Sequence, residues 1–591
     1  MIMSILKLTI VFVALFAGLA LWPIHSESFS ANREKDSRGT SRAFGMTSFT
    51  AGGSLTPQGG MPEEMQKAQS LIGAKDFDGA IQILEEFTRK NPNRLGAWNM
   101  LAGAYLEKGE LDKAFHAYEI AAQAPPLQPA AYFNIAGIYA IKKDKENAFK
   151  YLHRVRDTGS FDMDQLLIDP HFEGLREDPR LKELIPRPED FENPFVEKVR
   201  IIHEWAGEAK GSQFGWIARK IGDVDGDRIT DFTVSAPTYA VNGQPAGRIY
   251  VYSSKSAKLL WQQTGQTGED LGMGVESAGD TNRDGIPDVI AGSPAADRAY
   301  IYSGRDGKLL LTLTPANKGE SFGNHVSTAG DVNGDKFADV LVGAPGLNAS
   351  AGHAYVFSGK DGSLLLTLSG EQAGDAFGNT VTGYKDKTHS LIIVGAPGAG
   401  PRKTGRVYVY EGLSKTPRFV FDSDQTGGRF GGMFLSVLGD VNADKIPDIY
   451  VSDWNNSAKG NATGRIYIYS GKDGKTLITL TGESQFNGFG IGPADAGDMN
   501  GDGCADLIIG AWQYSGAAMA GGRVYLFSGK DSSLLETYTG RIPGETLGFD
   551  ATGIGDVDGD GTIDFLLTSA WSGIKGFRSG RVYIVSGRIP K

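Results

Sequence analysis

Hydrophobic and polar positions follow two different rhythms along this chain. Residues 62–158 carry helix-like segments such as AWNMLAGAYLEKGELDKAFHAYEIAAQAPP and AAYFNIAGIYAIKKDKENAFKYL, and the pattern repeats every 34 residues. Ala80, Ala114 and Ala148 keep that spacing, as do Trp98 with Tyr132, Leu101 with Ile135 and Tyr105 with Tyr139. Small residues recurring where helices cross predict stacked helical hairpins. Pro92 and Pro126 close the first two units, and a Leu-rich piece over 162–185 reads as a cap. From about residue 199 the rhythm changes to short apolar runs and strict alternation, as in GRVYVY, the signature of strands.

The second region is also periodic. A Phe-Gly or Leu-Gly pair ends at Gly215, Gly272, Gly323, Gly378, Gly431, Gly490 and Gly548. Each pair is followed by a short segment, an acidic loop, an apolar strand ending in words like VGAP or IGAW, and a GRVYVY-type strand. Most units then finish with SGKDG and LLLTLTG, where the Asp-Gly pair predicts a hairpin turn. Four short strands per unit and seven units predict a seven-bladed propeller. The last unit ends at GRVYIVSGRIPK without its fourth strand. The missing piece stands at the other end: IIHEWAGEAKGSQFG (201–215) aligns without gaps to LLLTLSGEQAGDAFG (364–378). Ile201–Trp205 is therefore expected to supply the outermost strand of blade seven, completing the ring so that no blade is left incomplete.

These patterns divide the chain into an N-terminal segment (1–24), a Ser/Thr/Gly-rich flexible linker (25–60), a helical repeat domain with C-terminal capping helices (61–187), an acidic, proline-containing linker (188–198) and the propeller (199–591). In the first segment Lys7 precedes an apolar run from Leu8 to Trp22, the layout of an export signal or of an uncleaved membrane anchor. Either reading makes the rest of the chain exported: periplasmic, cell-surface or secreted. Cys504 is the only cysteine, so no intramolecular disulfide supports the fold outside the cytoplasm. The net charge of −11 and the lack of a concentrated basic region argue against nucleic acid as a partner.

The chemistry sits in the acidic loops. In GDVNGDKFADVLVGAP, Asp331, Asn333, Asp335 and Asp339 occupy positions one, three, five and nine, with Phe337 at position seven. The same register holds Asp223, Asp225, Asp227, Ile229 and Asp231 in blade one, and Asp280, Asn282, Asp284, Ile286 and Asp288 in blade two. Blade five carries Asp440, Asn442, Asp444, Ile446 and Asp448, and blade six carries Asp498, Asn500, Asp502, Cys504 and Asp506. Asp556, Asp558, Asp560, Thr562 and Asp564 complete the set in blade seven. Alternate side chains of a curved loop converge, and the carbonyl at position seven adds an oxygen. That many hard ligands suit Ca²⁺ better than Mg²⁺ or Zn²⁺. Two carboxylates about 5 Å apart repel by roughly 3 kcal/mol at an effective dielectric near 20, so uncompensated loops would splay. Six calcium sites are expected. An EF-hand is excluded, because position twelve is Val342 in blade three and Val234 in blade one, each inside a strand. Blade four, with GYKDKTHSLIIVGAP, is three residues shorter, keeps only Asp386 and is expected to hold no ion.

The combination of Phe-Gly, acidic loop and Gly-Ala-Pro resembles the FG-GAP repeat of integrin α-chain propellers over about two-thirds of the chain, and the helical segments resemble tetratricopeptide repeats. The resemblance implies calcium between the first two strands of a blade, on the face opposite the one that engages partners. On that opposite face blades one to four enter a connection through Pro237, Pro294, Pro345 and Pro397, whereas blades five to seven have Trp454, Trp512 and Trp571. Those indoles are candidates for a protein- or glycan-recognition patch, or else pack within their own blades. The helical stack offers a concave groove for a peptide or serves as a spacer. The expected function is non-catalytic binding or adhesion. The alternatives are an extracytoplasmic hydrolase or lyase acting on glycan or lipid, and a scaffold of an envelope complex. Eight scattered histidines form no ligand spacing, and no G-x-S-x-G elbow stands on a strand–helix turn.

Overall fold

The computed structural model describes residues 61–346 and 350–587, so the N-terminal apolar segment and the linker up to residue 60 lie outside it. The chain divides into two compact units at Pro186/Arg187. The first contains three helical hairpins: Glu63–Gly73 with Phe77–Lys90, Leu95–Glu107 with Leu111–Ala121, and Gln128–Ile141 with Lys145–Asp157. Ala80, Ala114 and Ala148 are fully buried, as their repeat spacing predicts, because only a methyl side chain lets the helices approach there. The helices at Phe77 and Lys145 start at Asp76 and Asp144, whose carboxylates accept from the N–H groups of Gly79 and Asn147. The cap is three short turns, Met163–Leu167, Pro170–Leu175 and Pro179–Leu184. Phe161 and Phe172 lie 4.3 and 4.9 Å from the ring of Phe133, and His171 covers Gly137. That face of the last long hairpin is thus occupied by the chain itself.

The second unit is a ring of seven four-stranded antiparallel sheets. Blade one runs Ala218–Gly222, Asp231–Ala236, Arg248–Tyr252 and Leu259–Thr264, and the other blades repeat this order. First strands of successive blades adjoin around the ring, and the first strand of blade seven, Ala551–Gly555, meets that of blade one. The second strands are wholly buried in blades one to three, which explains why they read as unbroken apolar runs. Ile201–Ala206 pairs antiparallel with Arg581–Val585 as the outermost strand of blade seven, closing the ring as the sequence alignment predicts.

The core consists of wedges between neighbouring blades. Leu341, Val356, Leu368, Val381 and Ile392 fill one of them. Phe195, Leu526, Tyr538, Phe565 and Tyr583 fill another. The Phe-Gly pairs hold the wedges in register. Phe377 is buried and bridges Gly352 at the start of the third strand of the preceding blade, while the N–H of Gly378 donates to Gly395 in its own blade. Gly378 has φ +85°, and a Cβ there would stand 1.9 Å from the carbonyl of His353. Only glycine fits such a position.

Candidate metal centre

In six blades a nine-residue loop joins the first strand to the second, and in each loop the side chains at positions one, three and five fold back on the backbone. At position three Asp225, Asn282, Asn333, Asn442, Asn500 and Asp558 each accept from the N–H two residues on, at 2.8–3.1 Å. At position five Asp227, Asp284, Asp335, Asp444, Asp502 and Asp560 do the same for the N–H at position seven, at 2.8–3.0 Å. At position one Asp223, Asp280, Asp331, Asp440, Asp498 and Asp556 accept from the N–H at position five or six. The backbone can coil this tightly because positions four and six take positive φ, for example Gly226 (+86°) and Arg228 (+72°). One loop geometry therefore recurs six times.

Position nine behaves differently. Asp231, Asp288, Asp339, Asp448, Asp506 and Asp564 are buried. One oxygen of each accepts from the N–H at position two, as Asp339 does from Val332 at 2.9 Å. In blades one, two, three, five and six the other oxygen accepts from the N–H two residues past the end of the third strand, such as that of Gly359. This aspartate clamps the loop to the far hairpin of its own blade. Burial pushes the carboxyls of Asp231, Asp339, Asp448 and Asp564 up to about 6 against the opposing pull of those backbone donors.

Carboxylate oxygens converge in two loops among the described residues. Those of Asp223, Asp225 and Asp227, and those of Asp556, Asp558 and Asp560, lie within 4.8 Å of one another. Both trios could hold a metal ion, and their all-oxygen donor sets fit a hard divalent cation such as Ca²⁺. Blades two, three, five and six present asparagine at position three, so two carboxylates and a carboxamide share the same turn. Cys504, at position seven of blade six, is buried. In blade four Thr380–Lys385 and Ser390–Ala396 pair directly across a turn, and Asp386 is spent on the N–H groups of Thr388 and His389. Those bonds hold its carboxyl far below the usual range.

The three candidate tryptophans are buried, with only 4%, 3% and 8% of Trp454, Trp512 and Trp571 exposed. Trp512 and Trp571 meet edge-on at 4.8 Å, Phe549 lies 5.4 Å from Trp512, and Trp216 lies 4.8 Å from Phe549. This cluster joins blades six, seven and one, so Trp512 and Trp571 cement the ring rather than offer a flat aromatic surface, and Trp454 is simply buried. What does face solvent nearby is the loops that follow them, at Lys459, Asn461, Met519 and Lys575.

Sequence reasoning missed a second repeated constellation. The residue that opens the third strand pairs with an acid from an adjoining loop, and the tyrosine two positions on often shares that acid. Arg298 and Tyr300 meet Glu269, Arg465 and Tyr467 meet Asp424, and Arg523 and Tyr525 meet Glu483. In blade seven Arg581 reaches Glu204 of the closing strand while Tyr583 takes Glu545. The recurring Gly-Arg-x-Tyr word was the available signal. Its acid comes from two different loop positions, which hid the partnership.

Comparison with known proteins agrees with this architecture. A family model described as an FG-GAP-like repeat matches residues 280–342 and 440–509, and one described as an FG-GAP repeat matches 220–252. FG-GAP repeats are thus matched in blades one, two, three, five and six of the ring. A tetratricopeptide-repeat model matches residues 65–128 in the helical unit. The chain is 28% identical over 214 residues to integrin alpha-5 of Xenopus laevis, covering 33% of this chain and 20% of that protein. It is 33% identical over 168 residues to integrin alpha-2 of Bos taurus, covering 25% and 14%. Integrin alpha-8 of Homo sapiens matches at 28% over 251 residues, covering 38% and 23%. The matched stretches span less than a quarter of the length of these relatives.

Proposed function

We propose that this is an exported, non-catalytic calcium-binding protein whose FG-GAP propeller and tetratricopeptide unit engage a protein or glycan partner. Calcium binds in six loops, those of blades one, two, three, five, six and seven, and blade four takes none. In each loop the side-chain oxygens at positions one, three and five, the carbonyl at position seven and the carboxylate at position nine hold the ion. Its role is structural: it neutralises the clustered carboxylates and stiffens the turn that each blade presents. The observation that carries this reading is the repetition of one loop geometry at six places, with three carboxylates drawn within 4.8 Å of one another in two of them. The distant likeness to integrin α-chains supports an interaction role over an enzymatic one.

The solvent-facing loops after Trp454, Trp512 and Trp571 are the proposed contact surface, with the buried indoles as their footing. An N-terminal signal or anchor places the protein at the cell envelope or outside the cell. Elemental analysis of the purified protein should find close to six calcium ions per chain, and chelator should lower the melting temperature, since ions bound only by the folded state stabilise it. Pull-downs from envelope and medium fractions should recover the partner with calcium and lose it with chelator. A protein that takes up no calcium and melts identically in chelator would falsify the proposal.

A further inference from the structure

The two three-carboxylate loops differ in one respect. Among the described residues no lysine or arginine pairs with Asp223, Asp225 or Asp227 in blade one. In blade seven the guanidinium of Arg200 stands 2.6 Å from Asp558 and 3.9 Å from Asp560. The cause lies in how the ring closes. In each of blades one, two, three, five and six, the residue just before the outermost strand gives its carbonyl to a serine that ends the third strand: Lys258, Lys308, Ser363, Lys475 and Ser533 to Ser253, Ser303, Ser358, Ser470 and Ser528. Arg200 does the same to Ser586, at 3.0 Å, and so occupies the equivalent place in blade seven. In blades two and five a hairpin joins the two strands and its turn aspartate captures the base: Lys308 pairs with Asp306, and Lys475 with Asp473 at 2.6 Å. Blade one has Lys258 at this place without a turn aspartate, and blades three and six have serine. Blade seven has no such hairpin, because its outermost strand arrives from the other end of the propeller sequence. Arg200, which is not held in a hairpin turn, faces the loop carboxylates of Asp558 and Asp560.

We infer that Arg200 is a built-in counter-cation of the blade-seven loop, which competes with the divalent ion and makes this loop a weaker calcium site than its counterpart in blade one. When calcium is scarce the guanidinium neutralises Asp558 and Asp560; when calcium enters, the side chain, half exposed, swings out to solvent. Since Arg200 immediately precedes the closing strand, ion occupancy in this one blade is linked to the segment that seals the ring. The inference rests on the calcium reading above.

Calcium titration of the full chain by calorimetry tests it. Arg200→Gln should tighten one site, by about tenfold given a unit charge a few ångströms from a divalent ion near the surface. Arg200→Lys, which keeps the charge, should stay near wild type. The tightening should survive in an Asp223→Asn background and vanish in an Asp558→Asn background. Unchanged or weaker binding in Arg200→Gln, or tightening that persists with Asp558→Asn, overturns this inference alone. A wild-type protein that binds no calcium overturns it together with the proposed function.

Discussion

At positions four and six of the acidic loops the backbone enters the left-handed region, even where the residue is not glycine: Arg228, Arg283, Lys336, Ala443 and Lys445 all have φ between +61° and +74°. Each such residue carries strain of about 1–2 kcal/mol, which the side-chain bonds at positions one, three and five must offset. The nine-position register was readable in the sequence because all of these partners lie within one loop. The division of labour inside the register was not. Asp339 satisfies the N–H groups of Val332, Asn333 and Gly359 in a buried pocket, whereas Asp335 caps one exposed turn. Asp339→Ala should therefore cost about 3 kcal/mol or more by leaving buried donors unpaired, with or without chelator. Asp335→Ala should lower the melting temperature in calcium and change little in chelator. Melting curves of both variants in both conditions check the distinction, and equal losses in chelator would refute it.

Among the elements, the first strands carry the least predictable chemistry. Arg219 of blade one is 7% exposed; its guanidinium donates to Glu276 of blade two at 2.6 Å and also to Asp550, just ahead of the first strand of blade seven. One side chain thus ties three blades together where the ring closes. Nothing in the local sequence of Ala218–Gly222 marks this, because the partners are 57 and 331 residues away. Arg219→Met should destabilise the propeller by roughly 3–5 kcal/mol, since it strands the buried carboxylate of Asp550 and the partly buried one of Glu276. Denaturant unfolding followed by tryptophan fluorescence measures this, and a loss below 1 kcal/mol would argue against the role assigned to the arginine. The closing strand, by contrast, was legible: a gapless match of fifteen residues to a complete unit fixes its place, its register and its direction.

For the whole molecule, pH adds an independent probe. His325, beside the first strand of blade three, is half-buried near Arg219, and desolvation first, then the neighbouring positive charge, pushes its imidazole down to about 4. An unfolded histidine takes up a proton below about 6.5, so between those values the unfolded chain binds more protons than the folded one. Stability contributed by the neutral imidazole is complete above pH 6.5 and is lost as pH falls toward 4, by roughly 3 kcal/mol. In His325→Gln that loss should disappear, so the stability difference between variant and wild type should change only below pH 6.5. Comparing the two proteins cancels the carboxylates common to both.

The sequence by itself determined the two units, the number of blades, the place of each strand and the turn geometry of the six loops. All of these are written in contacts a few residues apart or in repeats that can be laid over one another. Only the tertiary structure decided that three conspicuous tryptophans are buried, and that Arg200 reaches an acidic loop at the far end of the chain. Such pairings depend on which side chains meet across the wedge between neighbouring blades. The curvature and closure of the ring choose them, and no local rule of spacing encodes them.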